Sequence, residues 1–206
     1  DDPVGKKILY EEYSQGTNQV IDELNGHKKV LEIAPNYFDY RCQMKFDESS
    51  PTKGKQIVEF WVALEIVEEH ASGNIIGFTI RDDSKTNSFS LQWGESGIEG
   101  LGKAGWRVKY TKENTDILYE QITYGISEFE EKEWIPIKLL FNYDLEYCEV
   151  YIRDMFNPIY EITNFKDFGS LGWFGTSNVW FYPGLWWVDS ISWTWDPSYK
   201  IGDFLN

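Results

Sequence analysis

The residues of this chain best suited to chemistry are aromatic rather than ionisable. Six of the ten tryptophans lie between Trp173 and Trp195, and the stretch Trp173-Phe174-Gly175-Thr176-Ser177-Asn178-Val179-Trp180-Phe181-Tyr182-Pro183-Gly184 sets rings beside small residues. A flat ring with a polar handle covers the C–H face of a sugar, while planar amides and hydroxyls meet its hydroxyl groups. That chemistry makes Trp173, Trp180, Tyr182 and Trp186, with Asn178 and Thr176, a candidate ligand platform. A second candidate surface is the row Tyr147, Glu149, Tyr151 and Arg153, which alternate along one segment and so share one strand face. The competing use of such rings is packing. Trp187, Ile191, Trp193 and Trp195 recur at even spacings that suit core side chains, Trp93 and Trp134 lie in apolar runs, and Trp61 is placed to pack against a flanking loop.

Groups able to catalyse are sparser. A glycosidase needs two carboxyl groups, ~5 Å apart if it retains configuration and further apart if it inverts. Glu59 and Glu65 share a strand face with Trp61 and Ala63, but six residues of strand hold them about 20 Å apart. Glu146 and Glu149 fall on opposite faces, and the two histidines, His27 and His70, sit in turn-like or polar sequence. No Ser-His-Asp order, phosphate loop or metal-binding histidine spacing is present. The residues therefore read as a non-catalytic recognition module. A self-assembling cell-surface subunit and a polysaccharide-degrading hydrolase or lyase are the alternatives.

The elements that must position these residues are strands. Phe38, Tyr40, Cys42, Met44 and Phe46 alternate with polar neighbours, as do Val58, Phe60, Val62, Leu64 and Ile66. Ile76/Phe78/Ile80, Phe89/Leu91/Trp93, Ile135/Ile137/Leu139/Phe141 and Cys148/Val150/Ile152 repeat the pattern. Period-two alternation gives each strand one dry and one wet face, as in antiparallel sheets covered on one side. Ser49-Ser50-Pro51, Ala71-Ser72-Gly73, Asp82-Asp83-Ser84, Gly94-Glu95-Ser96-Gly97 and Asn142-Tyr143-Asp144 interrupt the runs as turns. The expected fold is all-β, a two-sheet antiparallel sandwich or jelly roll. Helix is expected only over Asn18 to Leu24 and in a turn near Ser127 to Glu133, where Glu128, Glu130, Glu131 and Glu133 read as a solvated loop. Residues 1–206 form a single domain, with 196–206 a connector tail.

Composition narrows the partners. The chain has 206 residues and a net charge of -15, a field that repels phosphate backbones and anionic lipid, so nucleic acid is not an expected partner. No apolar run approaches the ~20 residues of a membrane span. Cys42 and Cys148 lie on different apolar segments, which leaves open a cross-core pair or two buried thiols.

The order of the runs resembles a known family. Ile8-Leu9-Tyr10-Glu11-Glu12-Tyr13, Lys45-Phe46-Asp47, Val58-Glu59-Phe60-Trp61-Val62 and Ile76-Gly77-Phe78-Thr79-Ile80-Arg81-Asp82 are followed by Trp134-Ile135-Pro136-Ile137-Lys138-Leu139, Cys148-Glu149-Val150-Tyr151-Ile152 and Trp187-Val188-Asp189-Ser190-Ile191-Ser192-Trp193. This series is similar to the concanavalin A-like lectin and glucanase superfamily, especially its laminin-G-like members. In those members the V-D-x-I strand returns beside the N-terminal one. The resemblance implies an extracellular or cell-surface sandwich that binds a glycan or a protein partner, or cleaves polysaccharide. It also implies a structural calcium ion, with Asp189 and either Glu11 or Glu12 as its ligands.

Overall fold

Alternation translates into strands throughout the computed structural model, which describes residues 8–9, 16–35, 41–65, 75–94, 105–113, 115–122, 130, 132–163, 165, 168–179 and 185–197. In chain order the strands are β1 (Ile8–Leu9), β2 (Gly16–Leu24), β3 (His27–Pro35), β4 (Arg41–Lys45), β5 (Lys55–Leu64), β6 (Ile75–Asp82) and β7 (Ser88–Gly94). They continue as β8 (Gly105–Lys112), β9 (Thr115–Gln121), β10 (Ile135–Asn142), β11 (Tyr147–Ile152), β12 (Tyr160–Thr163), β13 (Leu171–Val179) and β14 (Trp186–Trp193). Sheet A has the order β1-β4-β13-β6-β7-β8-β9 and sheet B the order β12-β11-β10-β5-β14-β3-β2. Neighbouring strands run antiparallel, so the fold is the expected sandwich.

The apolar member of each alternating pair points between the sheets. Phe60 of β5 meets Phe78 of β6 at 5.5 Å and Phe174 of β13 at 5.1 Å, which locks sheet B onto sheet A. Towards one end, Phe89 and Tyr110 of sheet A and Phe141 of sheet B converge on Phe165, itself stacked on Phe168 at 4.6 Å. Cys42 faces this interior from sheet A and Cys148 from sheet B, and both are buried free thiols. Burial pushes Cys42 up to about 12 and Cys148 well above the ordinary thiol range, so neither is a reactive thiolate.

Two expectations change, and a third, the turn near Ser127 to Glu133, is met where the residues are described. Residues 18–24 form most of β2 rather than a helix. Ile21 and Leu24 imitate helical spacing, but Asn25 and Gly26, at φ 47° and 89°, close a two-residue hairpin that pairs Leu24 with His27. Positive φ at both loop positions is the turn that matches strand twist, and it commits the flanking residues to extended backbone. Of the acidic loop, Glu130 and Glu133 form a turn through Glu133 N–H to Glu130 C=O at 3.1 Å, while Ser127 and Glu128 lie outside the described residues. The V-D-x-I strand, β14, lies between β3 and β5, whereas β1 pairs with β4 in the other sheet.

Candidate functional site

The outer face of sheet A is laid out by its register. One row across the strands reads Lys45, Trp173, Arg81, Ser88, Thr111. The next reads Gln43, Gly175, Thr79, Ser90, Lys109, Tyr119, and a third reads Arg41, Ser177, Gly77, Gln92, Arg107, Gln121. Their centre is made of small residues, with longer polar and cationic ones to either side. At the strand spacing of ≈ 4.8 Å, a six-residue row spans about 24 Å.

Trp173 reaches this face because of a bulge. Leu171 opposes Asp82 and Trp173 opposes Arg81, which leaves Gly172 as the extra residue in β13. The bulge reverses the alternation, so Leu171 and Phe174 both point into the core while Trp173 points out. Gly172 is required there, since a Cβ would lie 2.3 Å from Asp83 Oδ1 and 2.9 Å from Asp83 Cα.

The adjoining turn is organised by Asp82. Its Oδ1 accepts from Ser84 Oγ at 2.9 Å and Thr86 N–H at 3.0 Å, and its Oδ2 accepts from Asn87 Nδ2 at 2.8 Å. The turn holds Lys85, at φ 59°, with its Nζ 3.9 Å from the centre of the Trp173 ring. Lys45 Nζ stands 5.6 Å from the same ring. At these distances both ammonium groups are attracted to the indole face.

Beside the ring lies a shallow depression, open to solvent and lined by Gln43, Thr79, Arg81, Trp173, Phe174, Gly175 and Thr176. Gln43 Oε1 and Trp173 Nε1 are buried with no hydrogen-bond partner among the described residues. Buried polar atoms are normally satisfied, and one that is not carries a cost of about 1–3 kcal/mol. Across the floor, Thr79 Oγ1 and Ser90 Oγ satisfy each other at 2.8 Å. A Cβ on Gly175 would come within 3.3 Å of Gln43 Cγ, so glycine keeps the floor low.

The sequence platform is only partly assembled here. Trp173 stands on the outer face, but beneath two lysines rather than as a bare ring. Trp186 is fully buried and donates its indole N–H to Thr176 Oγ1 at 2.7 Å. The phase of β14 turns Trp186 and Val188 inward together, so Trp186 belongs to the interior. Asn178 is placed on β13 by its backbone, while Trp180 and Tyr182 lie outside the described residues. The sequence reading missed Gln43, Thr79, Lys45 and Lys85, whose common neighbourhood depends on strand order and not on chain proximity.

The second candidate row sits on the outer face of sheet B and is closed upon itself. Tyr151 is buried and donates its hydroxyl to Glu149, and Lys138 Nζ lies 3.6 Å above its ring. Burial first, then the Glu149 carboxylate, pushes the Tyr151 hydroxyl well above its ordinary range. Tyr147 is half-buried beside them. Arg153 leaves the row at φ 66°, past the end of β11, and forks onto Glu133 with two contacts of 2.6 Å. On the same sheet, Asp189 Oδ2 meets His27 Nδ1 at 2.7 Å and Asp189 Oδ1 accepts from Ser190 N–H at 2.8 Å. Both oxygens of the proposed calcium ligand are thus engaged, and Glu11 and Glu12 lie outside the described residues. Among the described residues no group of three or more His, Cys, Asp or Glu could hold a metal ion.

No protein-family model matches the chain, and no curated protein is similar to it in sequence. Solved structures do share its fold. An endo-β-1,4-glucuronan lyase from the fungus Trichoderma reesei aligns with a TM-score of 0.59 at 10% identity, over 91% of this chain and 89% of that one. A lectin from Bauhinia forficata in complex with GalNAc gives 0.59 at 6% identity, over 87% and 90%. A carbohydrate-binding module, CBM66 from Bacillus subtilis, gives 0.53 at 8% identity, over 87% and 91%. At these identities the likeness is one of fold: the chain shares with these proteins a two-sheet antiparallel β-sandwich.

Proposed function

We propose that this chain is a non-catalytic carbohydrate-binding module that takes its ligand on the outer face of sheet A, beside Trp173, in an extracellular or cell-surface setting. One observation carries the reading: Gln43 and Trp173 line one depression, and Gln43 Oε1 and Trp173 Nε1, an acceptor and a donor buried at its floor, lack partners among the described residues. A sugar hydroxyl is both donor and acceptor, so it can satisfy either atom, and the low glycine floor lets a ring approach the backbone. The recognition chemistry is polar, with the indole as one wall.

Binding of the whole chain to an array of plant, fungal and bacterial polysaccharides, followed by calorimetry on the strongest ligand, tests this. Trp173→Ala is expected to weaken binding by roughly tenfold or more, as loss of a central aromatic contact does. Its Tm should shift little, because the ring lies outside the core. Unchanged affinity in that variant removes the site, and release of reducing or unsaturated sugar ends removes the non-catalytic part.

A further inference from the structure

Charge is distributed unequally between the two sheets. In sheet A the strands β4, β13, β6, β7 and β8 carry Arg41, Lys45, Arg81, Arg107, Lys109 and Lys112, and the only carboxylate within them is Asp82. Asp82 is buried and turned into its own loop, where it accepts from Thr86 and Asn87. The nearby Asp83 accepts from Ser49 Oγ. Lys109 meets Asp116 of β9 at 3.0 Å. Sheet B, by contrast, carries Asp22, Glu23, Glu32, Glu59, Glu149, Glu161 and Asp189 along its strands, against Lys28, Lys29, Lys55 and Lys138. A chain with a net charge of -15 thus places Lys45, Lys85 and Arg81 together at one depression.

Building on the saccharide reading, we infer that the ligand is an acidic polysaccharide, one bearing carboxylate or sulfate groups. Lys45 and Lys85 stand over Trp173, and Arg81 lines the depression beside it. What the site offers a sugar is thus two ammonium groups and a guanidinium around an indole N–H, a donor-rich arrangement suited to anions. The overall negative charge does not prevent this. At physiological salt a Debye length of about 8 Å confines each charge to its surroundings, so the local cations decide what binds.

The test compares one backbone with and without its charge. Polygalacturonate and its fully methyl-esterified form, with dextran sulfate and dextran as a second pair, are titrated into the full chain at 0.15 M salt, the ionic strength at which that screening length applies. The acidic member is expected to bind roughly tenfold tighter or more, and Lys45→Glu with Lys85→Glu should erase the preference while Tm holds. A preference for only one pair assigns the anion as carboxylate or as sulfate. Equal binding of charged and neutral members, lost in Trp173→Ala, overturns the acidic ligand and leaves the saccharide site standing. Failure of all four polymers, with no hit on the array, overturns both. Single-stranded DNA bound as tightly as polygalacturonate overturns the saccharide as occupant. The wild-type comparison alone decides the matter if the double variant does not fold.

Discussion

On the outer face of sheet B, aromatic and charged side chains are spent on one another; on the outer face of sheet A, they are arranged around an opening. Trp187 packs with Val30 and Ala63 and sends its indole N–H to Glu32 at 2.9 Å. Close by, His27 stacks on Trp134 at 4.2 Å, meets the edge of Trp61 at 5.3 Å and holds Asp189. Trp134 in turn donates to Leu24 C=O at 2.9 Å. These contacts form a small second core outside the sandwich and tie the β2–β3 hairpin to β5, β10 and β14. On sheet A the one outward tryptophan keeps an indole N–H with no partner among the described residues. Richness in tryptophan therefore marks binding only where the polar end of the ring is left over.

The largest expected effect follows from that contrast. Trp187→Ala empties the small second core and should cost about 3 kcal/mol, roughly 6–12 °C in Tm, with polysaccharide affinity of the folded protein unchanged. Thermal denaturation and calorimetry on the same sample check both halves. A variant that keeps its Tm but loses ligand would place the binding surface on sheet B and reverse the comparison.

Much of the sandwich was legible because alternation is local. Val58/Phe60/Val62, Phe89/Leu91 and Ile135/Ile137/Leu139 need only their own neighbours to announce which face is dry. The bulges were not legible, and they decide what the late tryptophans do. Between Asp189 and Ser192 the register of β14 slips, with Ser190 at φ 52°. Ile191 and Trp193 therefore return to the core, while Trp187, at an even spacing from both, stays on the outside. The slip at Gly172 does the reverse for Trp173. The site was legible only through that one ring. Gln43, Thr79 and Arg81 become neighbours because β13 inserts between β4 and β6, a long-range pairing that no local pattern carries.

A middle-sized effect is expected at Lys138. Burial lowers its pKa, and the attraction of Glu59, Glu149 and Asp154 works against that fall. Its Nζ also donates to Met155 C=O. Lys138→Met removes the cation that faces buried Glu59 and should cost about 1–2 kcal/mol at neutral pH, read from urea midpoints at an unchanged m-value. Because the folded pKa lies below the unfolded one, the folded state sheds this proton first. Wild-type stability should then rise slightly with alkalinity towards pH ~10.4, and the variant should lack that rise. If the variant is instead as stable as the wild type, the interlocking of sheet B is looser than its contacts imply.

The smallest effect belongs to the fork between Glu133 and Arg153. Arg153 holds the Glu133 carboxyl below its usual range, and a backbone N–H from Glu130 adds to the effect against a modest burial penalty. A depressed carboxyl pKa stabilises above the unfolded value, ~4.3, and the benefit disappears as pH falls through the folded one. With side chains 42% and 32% exposed, solvent screening limits the pair to about 0.5 kcal/mol. Glu133→Gln should be slightly less stable than wild type above about pH 5, and the two denaturation curves should merge on acidification. The pair closes the sheet B surface where Arg153 leaves β11, far in register from the rows of sheet A. Polygalacturonate affinity of Glu133→Gln at neutral pH should accordingly match wild type. A fall in that affinity would mean that the two faces are coupled through the core, and that the cations of sheet A do not act alone.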